Sequence, residues 1–502
     1  MKYLYGAAVQ GIQEFIFQTN KLREIVGASE LVEEICTSKF ARLLGKDGKY
    51  HELKKQLEED ANAIVHAAGN IKYIFTEEEK CKNMVRCFPK EISQFAPGIT
   101  VSQSVVEFMD DEDFPRAVKQ LEAQLRVQRN KPMRYPMLGL MGIERSQQTG
   151  LPVSYIKEKR HLDSATYAKL YYQKDENSIA KRTTKKLCKK SFGKTEIGDK
   201  EIPYDISEMT GKNDWIAVVH ADGNGLGQIV QKIGVNPNEF KNFSRLLDEA
   251  TTLAANEAYK TLSNDSSVIP MRPIVLGGDD HTVICRADLA LPYVECFIEE
   301  FEKQTEEKLG SIIRKNKIFK ENYLTACAGI SYIKSSFPFY YGYELAEALC
   351  SRAKTDAKTG LKDGELPASC IMFHKVQDSF VENYKEVVER ELKPQDNISF
   401  EFGPYYLKEK NNRWTIGKLK DKIEVFNSPE GNAIKSGLRN WLSLLHTDSG
   451  KSKQFLERLK EVSGKRAFLD DLTDDSRTRD NVIVYPVYDM LAIHTIENQQ
   501  TK

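Results

Sequence analysis

The stretch Pro273-Ile274-Val275-Leu276-Gly277-Gly278-Asp279-Asp280-His281-Thr282-Val283-Ile284-Cys285 decides how this chain is read. Two short apolar runs, Pro273–Leu276 and Thr282–Cys285, flank Gly-Gly-Asp-Asp, the pattern of a tight β-hairpin with two carboxylates at its tip. Adjacent acids at such a turn repel each other and gain little from burial, so packing does not explain them. They suit hard divalent cations held over the phosphates of a nucleotide. Gly and Asp are also ordinary turn residues, so the tetrapeptide needs support from the rest of the chain.

That support begins on either side. Trp215-Ile216-Ala217-Val218-Val219 reads as a strand ending in His220-Ala221-Asp222. A helix is expected from about Asn238 to Leu262, where Phe240, Phe243, Leu246, Leu247, Ala250, Leu253 and Ala254 fall on one stripe. The hairpin supplies two strands, a second helix is expected over Pro292–Leu309, and a last strand over Tyr323–Ile333. Strand, helix, hairpin, helix, strand is the ferredoxin-like βαββαβ order. Residues 1–114 repeat it: strand Tyr3–Val9, a helical stretch Ile12–Leu44, strands Ala63–His66 and Ile71–Phe75, a helix over Glu77–Phe95 and a strand over Ile99–Phe108. Only the second copy, within 211–378, has acids at its turn. Residues 115–210 read as a polar helical linker region, and 379–502 as a mainly helical C-terminal domain with a strand-like Val482–Tyr485. The expected class is α+β, built on two ferredoxin-like domains.

Composition sets bounds. A chain of 502 residues has room for roughly three or four domains. Lys+Arg and Asp+Glu both number 73, so net charge predicts no bulk attraction to nucleic acid or membrane. The nine cysteines form no CxxC pair, which argues against a zinc knuckle or a disulfide framework. No window nears 18 uninterrupted apolar residues, and the N-terminus has no long apolar core, so a cytoplasmic protein without membrane contact is expected.

The chemistry gathers on few residues. In a ferredoxin-like sheet the first and third strands are neighbours, so Asp222 is expected beside Asp279 and Asp280. Three converging carboxylates raise each other's pKa unless cations neutralise them. Two Mg²⁺ or Mn²⁺ ions on Asp222, Asp279, Asp280 and the Gly223 carbonyl would clamp a triphosphate, polarise its α-phosphorus and acidify an attacking hydroxyl. In Gly223-Asn224-Gly225-Leu226-Gly227 the glycines let backbone approach phosphate, and Gly277 and Gly278 do so at the hairpin. Lys354, after the amphipathic stretch Tyr343–Arg352, is placed to reach a β- or γ-phosphate.

Together these residues resemble the large subunit of type III CRISPR effector complexes, whose paired palm domains make cyclic oligoadenylates. The resemblance rests on Gly11-Ile12-Gln13-Glu14-Phe15-Ile16-Phe17, on Lys21-Leu22-Arg23 and Gly27-Ala28-Ser29, and on Asp222-Gly223-Asn224-Gly225-Leu226-Gly227. It continues through Gly277-Gly278-Asp279-Asp280, Ala328-Gly329-Ile330 with Pro338, and Ala353-Lys354. It implies ATP as substrate, a cyclic 3′–5′-linked product with pyrophosphate release, and effector-complex subunits and RNA as partners. Three departures stand out. The chain opens at the first palm with no His-Asp dipeptide, so no nuclease is implied. Gly142–Pro152 holds no cysteine where the family binds zinc, so no zinc is expected. Asn224 stands where many members have a second acid. Two other readings remain at this level: a non-catalytic RNA-binding scaffold using the basic run 181–190 with Lys157, Lys159 and Arg160, and a stand-alone cyclic dinucleotide synthase, which would allow a homodimer.

Overall fold

In the computed structural model, residues 1–498 are described except 68, 111, 131–141, 172–184, 194–196, 199, 211–213, 234–235, 263–267, 363, 378–382, 411–412, 474–476 and 480–481. Strands β1 (Lys2–Gln10), β2 (Ala63–Ala67), β3 (Asn70–Phe75) and β4 (Thr100–Phe108) form an antiparallel sheet ordered β2-β3-β1-β4. A short hairpin follows, β5 (Val153–Lys157) and β6 (Arg160–Asp163), turned by left-handed Glu158 and Lys159. The second sheet repeats the first order with β7 (Trp215–Gly223), β8 (Met271–Gly277), β9 (Asp280–Arg286) and β10 (Ala326–Lys334), arranged β8-β9-β7-β10. The two ferredoxin-like copies expected from the sequence are therefore both present.

Side-chain alternation assigns the faces of the second sheet. His281 pairs with Ala221, and its ring lies against Tyr293 and Phe297 of the helix Ala287–Lys315. That helix packs along the helix Pro237–Thr261, whose buried stripe includes Phe240, Phe243, Leu247, Ala250 and Ala254. Thr282 pairs with His220, and both belong to the opposite face, where the helix Phe339–Lys358 and the first palm lie. Asp280 and Asp222 continue this face at the strand ends. A one-residue slip of β9 would turn its acid to the wrong side of the sheet.

Several elements depart from the sequence reading. The expected long helix over Ile12–Leu44 is broken into Ile12–Phe17, Leu22–Glu34, a π turn Ile35–Lys39 and Phe40–Leu43. The break after Phe17 lets Phe17 stack on Tyr343 of the second palm, with ring centroids 4.5 Å apart. The region 115–210 is not wholly helical, since it carries the β5–β6 hairpin. Of the basic run 181–190, residues 181–184 lie outside those described; Lys185–Phe192 is a helix. The second palm also reaches beyond residue 378. β11 (Cys370–Lys375) joins β10 in parallel, and β13 (Tyr405–Tyr406), which follows the two-residue β12 (Ile398–Ser399), pairs with β11. The tail is mainly helical, over Ile416–Asn427, Pro429–Thr447, Ser449–Val462, Arg466–Thr473 and Val487–Asn498. A small sheet accompanies it, with β15 (Val482–Val484) between β12 and β14 (Arg477–Arg479). All nine cysteines are free thiols, and among the described residues no helix is long and apolar enough to cross a membrane.

One close approach fixes the helix Phe339–Lys358 on the sheet. A Cβ added at Gly329 of β10 would lie 1.9 Å from the Ala346 carbonyl oxygen and 2.6 Å from the Cys350 nitrogen. Backbone meets backbone there, and no side-chain rotation relieves the clash. Gly329→Ala is expected to cost about 3 kcal/mol by forcing helix and strand apart. Urea unfolding checks this, and an unchanged midpoint would show that the two elements are not held at this distance.

Candidate metal centre

The centre is assembled from the ends of two neighbouring strands. Ala221 pairs with His281, which leaves Asp222 and Asp280 as the next residues on adjacent strands. Gly277 pairs with Asp280, so the β8–β9 connection is the two-residue loop Gly278-Asp279. Gly278 takes φ +62°, as the first position of a type II′ turn requires. One carboxylate oxygen from each of Asp222, Asp279 and Asp280 lies within 4.8 Å of the others, the one metal-capable His/Cys/Asp/Glu cluster among the described residues.

Close packing sets this geometry. A Cβ at Gly223 would come within 2.8 Å of the Asp279 Cβ and 2.9 Å of Leu226, so the strand end touches the hairpin tip with no room for a side chain. Gly225 takes φ +83° and sits against Phe319 and Leu366 as it opens the helix Leu226–Ile233. Gly227 faces open space. Asn224 is not part of the carboxylate cluster. It is 2% exposed, its backbone N–H donates to the Thr325 carbonyl (2.8 Å), and its side-chain amide donates to Thr325 Oγ1 (3.1 Å) and Cys327 Sγ (3.4 Å). It fastens β7 to the segment entering β10, a structural task that needs an amide donor. Lys354 reaches the centre from the helix Phe339–Lys358. Its Nζ donates to Asp222 Oδ2 and, at 2.9 Å, to the Gly223 carbonyl. The ammonium balances part of the negative charge gathered at the strand ends.

The electrostatics follow from crowding. Burial, then the charges of Asp280 and Asp222, drive the Asp279 carboxyl well above its ordinary range. Burial and Asp222 push Asp280 up to about 7, with Lys354 opposing and Glu347 reinforcing. Burial, Glu344 and Asp222 also raise Glu347. Burial works against the Lys354 ammonium, yet the Asp222 carboxylate raises it. Burial lowers His220 and His281 to about 4 each, so both imidazoles are neutral at pH 7. An all-oxygen donor set that resists losing its protons unaided fits a hard divalent cation.

The hairpin tip is anchored by residues that sequence reading missed. Thr251 Oγ1 donates to the Gly278 carbonyl at 2.6 Å. Lys190 Nζ donates to Asp248 at 2.9 Å and to the Leu276 carbonyl at 2.9 Å. Burial works against the Asp248 carboxylate, but Lys190 and Lys54 hold it below its ordinary range. Thr251 is a hydroxyl within the buried, otherwise apolar stripe of the helix Pro237–Thr261, and that interruption was the available signal, whereas Asp248 lies at the margin of the stripe and gave none. Lys190 was legible only as one lysine in a basic run.

A cavity of about 660 Å³ lies between the palms and ends at the centre. Its walls include Ile12, Gln13, Ile16 and Phe17, residues Ser29 to Glu34 other than Leu31, and Ile274–Gly277, with His220, Asp280, Thr282 and Tyr343 at the acidic end. Gln13 donates to the Tyr343 hydroxyl at 2.9 Å, and the Ser29 hydroxyl donates to the Ile274 carbonyl, so the two palms meet through side chains of the first palm's opening segment.

Comparison with known proteins agrees with this geometry. Residues 215–362 match the family described as Cas10/Cmr2, second palm domain. No curated protein matches the sequence. Among solved structures, the Csm1–Csm4 cassette in complex with cA3 superposes with a TM-score of 0.56 at 13% identity, covering 99% of this chain and 69% of that one. The cassette in complex with pppApApA gives 0.55 at 14% identity, covering 100% and 69%. Csm1 of T. onnurineus gives 0.51 at 13% identity, covering 99% and 69%. In another alignment, to the cassette in complex with pppApA, this chain covers 53% of that chain, about half its length. The fold and site define a two-palm protein with a three-carboxylate centre. More particularly, residues 215–362 are similar to the Cas10/Cmr2 second palm domain, and the chain's fold is similar to that of Csm1.

The raised carboxyls make stability depend on pH. Asp280 titrates near 7 in the folded chain and near 3.8 when unperturbed, so between those values the folded state holds a proton that the unfolded state has lost. Stability of the metal-free protein is therefore greatest below the lower value and falls as pH rises to about 7, by up to about 4 kcal/mol for this group. Thermal melts in EDTA from pH 5 to 8 are expected to show this decline, with added Mn²⁺ reversing it and Asp280→Asn flattening it. A decline of equal size in Asp280→Asn would assign it to other groups.

Proposed function

We propose that this chain is a metal-dependent nucleotidyltransferase that converts ATP into 3′–5′-linked cyclic oligoadenylates, as the large subunit of a type III CRISPR effector complex. The observation that carries this reading is the convergence of Asp222, Asp279 and Asp280 at the end of a cleft between two palms. Support comes from the Cas10/Cmr2 match over the same residues and from relatives of this fold solved with cA3 and pppApApA. Asp222, Asp279, Asp280 and the Gly223 carbonyl would hold two Mg²⁺ or Mn²⁺ ions, which supply charge neutralisation for a triphosphate and acidify an attacking hydroxyl.

The chain's own residues do the rest. Lys354 orients the Asp222 carboxylate and the Gly223 carbonyl before substrate arrives. The glycines of 223–227 and 277–278 leave backbone free to approach phosphate, and Gly223 does so against Asp279. Ile12, Ile16, Phe17 and Ile274 give the cleft apolar walls that exclude water beside a bound base. Two nucleotides placed there would set one 3′-hydroxyl against the α-phosphorus of the other. The new P–O bond forms as the α–β bond breaks, pyrophosphate leaves, and the hydroxyl proton passes to solvent. Subunits of the complex, with target RNA, would be the partners that switch this on.

Incubation of the purified chain with ATP and Mg²⁺ or Mn²⁺, alone and with its effector subunits and target RNA, is expected to yield pyrophosphate and cyclic adenylates resolved by mass. Asp279→Ala/Asp280→Ala should lower the rate at least about 1,000-fold while the fold persists, because charge stabilisation of phosphoryl transfer rests almost wholly on these groups. Absence of pyrophosphate with all partners present would overturn the reading in favour of a scaffold.

A further inference from the structure

β7 spans about 23 Å from Trp215 to Asp222 at the rise of a strand, so its two ends have separate surroundings. At the Trp215 end, Lys334 of β10 lies across in register, and Lys375 closes β11 next to it. The Lys334 and Lys375 ammoniums lie 5.3 and 4.6 Å from the Trp215 ring centroid. Lys375 is only 9% exposed. Its charged neighbours are Arg439, from the helix Pro429–Thr447, and Lys334; with burial they lower its ammonium to about 8. Among the described residues, no carboxylate forms an ion pair with Lys334, Lys375 or Arg439. The acid adjoining this end of the sheet, Asp214, accepts from the Ser335 hydroxyl at 3.2 Å.

A cavity of about 540 Å³ opens over the two lysines, lined also by Ser336, Phe337 and Gln377. A buried cation whose charged neighbours are other cations is costly even beside an aromatic ring, and the cost is relieved when an anion enters. Phosphate suits lysine, which acts as a point charge rather than a planar fork. The indole is 6% exposed and already carries two ammoniums, so the site offers charge and volume rather than a stacking surface. The volume fits one nucleotide unit.

We propose that the cavity bounded by Trp215, Lys334 and Lys375 binds the phosphate of a nucleotide, either free or as one unit of a single-stranded RNA, at a site separate from the carboxylate centre. The site stands whether or not the chain is a synthase.

The test uses the full chain carrying Asp279→Ala/Asp280→Ala, in EDTA, so that no metal-held nucleotide contributes. Trp215 is one of three tryptophans, and its fluorescence is followed against ADP and against a 5′-phosphorylated hexa-adenylate RNA. Saturable quenching is expected, weakened at least 10-fold in Lys375→Met and several-fold in Lys334→Gln, and lost in Trp215→Phe. Response to ADP marks a free-nucleotide site. Response to RNA alone, with a salt slope reduced by about one in Lys334→Gln, marks a strand contact. Lys334 is exposed, so its substitution leaves the fold intact even where Lys375→Met does not. No saturable change with either probe, or equal affinity in Lys334→Gln, overturns the proposal.

Discussion

Mutual repulsion among three carboxylates is the constraint on which the second palm is built. The acids occupy the ends of adjacent strands and the turn between two of them, so their separation is set by sheet register rather than by side-chain choice. Left to themselves, Asp222, Asp279 and Asp280 would spread apart. The surrounding structure prevents this from three directions. Thr251 and the Lys190–Asp248 pair hold the hairpin from the helix Pro237–Thr261, Lys354 holds Asp222 from the helix Phe339–Lys358, and Gly223 brings the strand end against the turn. Each restraint reaches a backbone carbonyl, a carboxylate or a position without a side chain. The three acids are thus held in place by rigid elements rather than by loops.

Much of this was legible in the sequence, for identifiable reasons. The two βαββαβ units show themselves through strong local signals: alternating or continuous apolar strands, one 25-residue helix with a clear stripe, and a Gly-Gly turn. The convergence of Asp222 with the hairpin acids followed from ferredoxin topology alone. The break at Gln18–Lys21 was not legible, because it answers to a tertiary contact, Phe17 on Tyr343, more than 300 residues away. The strand β11 was passed over since Cys370–Lys375 is short and buried along its whole length, with an apolar start, Cys370–Phe373, that carries no period of its own. Asn224 is the instructive case at the site. Its place in a glycine loop suggested contact with nucleotide, whereas its buried amide joins β7 to the approach of β10.

The two palms divide the work unequally. The first has no acids at its own turn, yet its opening segment supplies Gln13, Phe17 and Ser29 to the shared boundary and lines the cleft that ends at Asp280. A repeated fold has therefore kept its shape in both copies while the carboxylate cluster is gathered in one. The cavity belongs to the seam as much as to the sheet, because neither palm alone encloses it.

The pairing of β13 with β11 has a consequence for how the molecule is made. The four strands around the acids are complete once residue 334 has been synthesised, but the edge of that sheet is finished by Tyr405–Tyr406. Until those residues emerge from the ribosome, β11 presents unpaired backbone at a sheet edge, the surface that proteins ordinarily guard against wrong partners. The C-terminal region thus begins inside the sheet that carries the three acids. Its first contribution is to close the edge of the sheet that precedes it, so Tyr405–Tyr406 belong to that sheet although they follow it by thirty residues of chain.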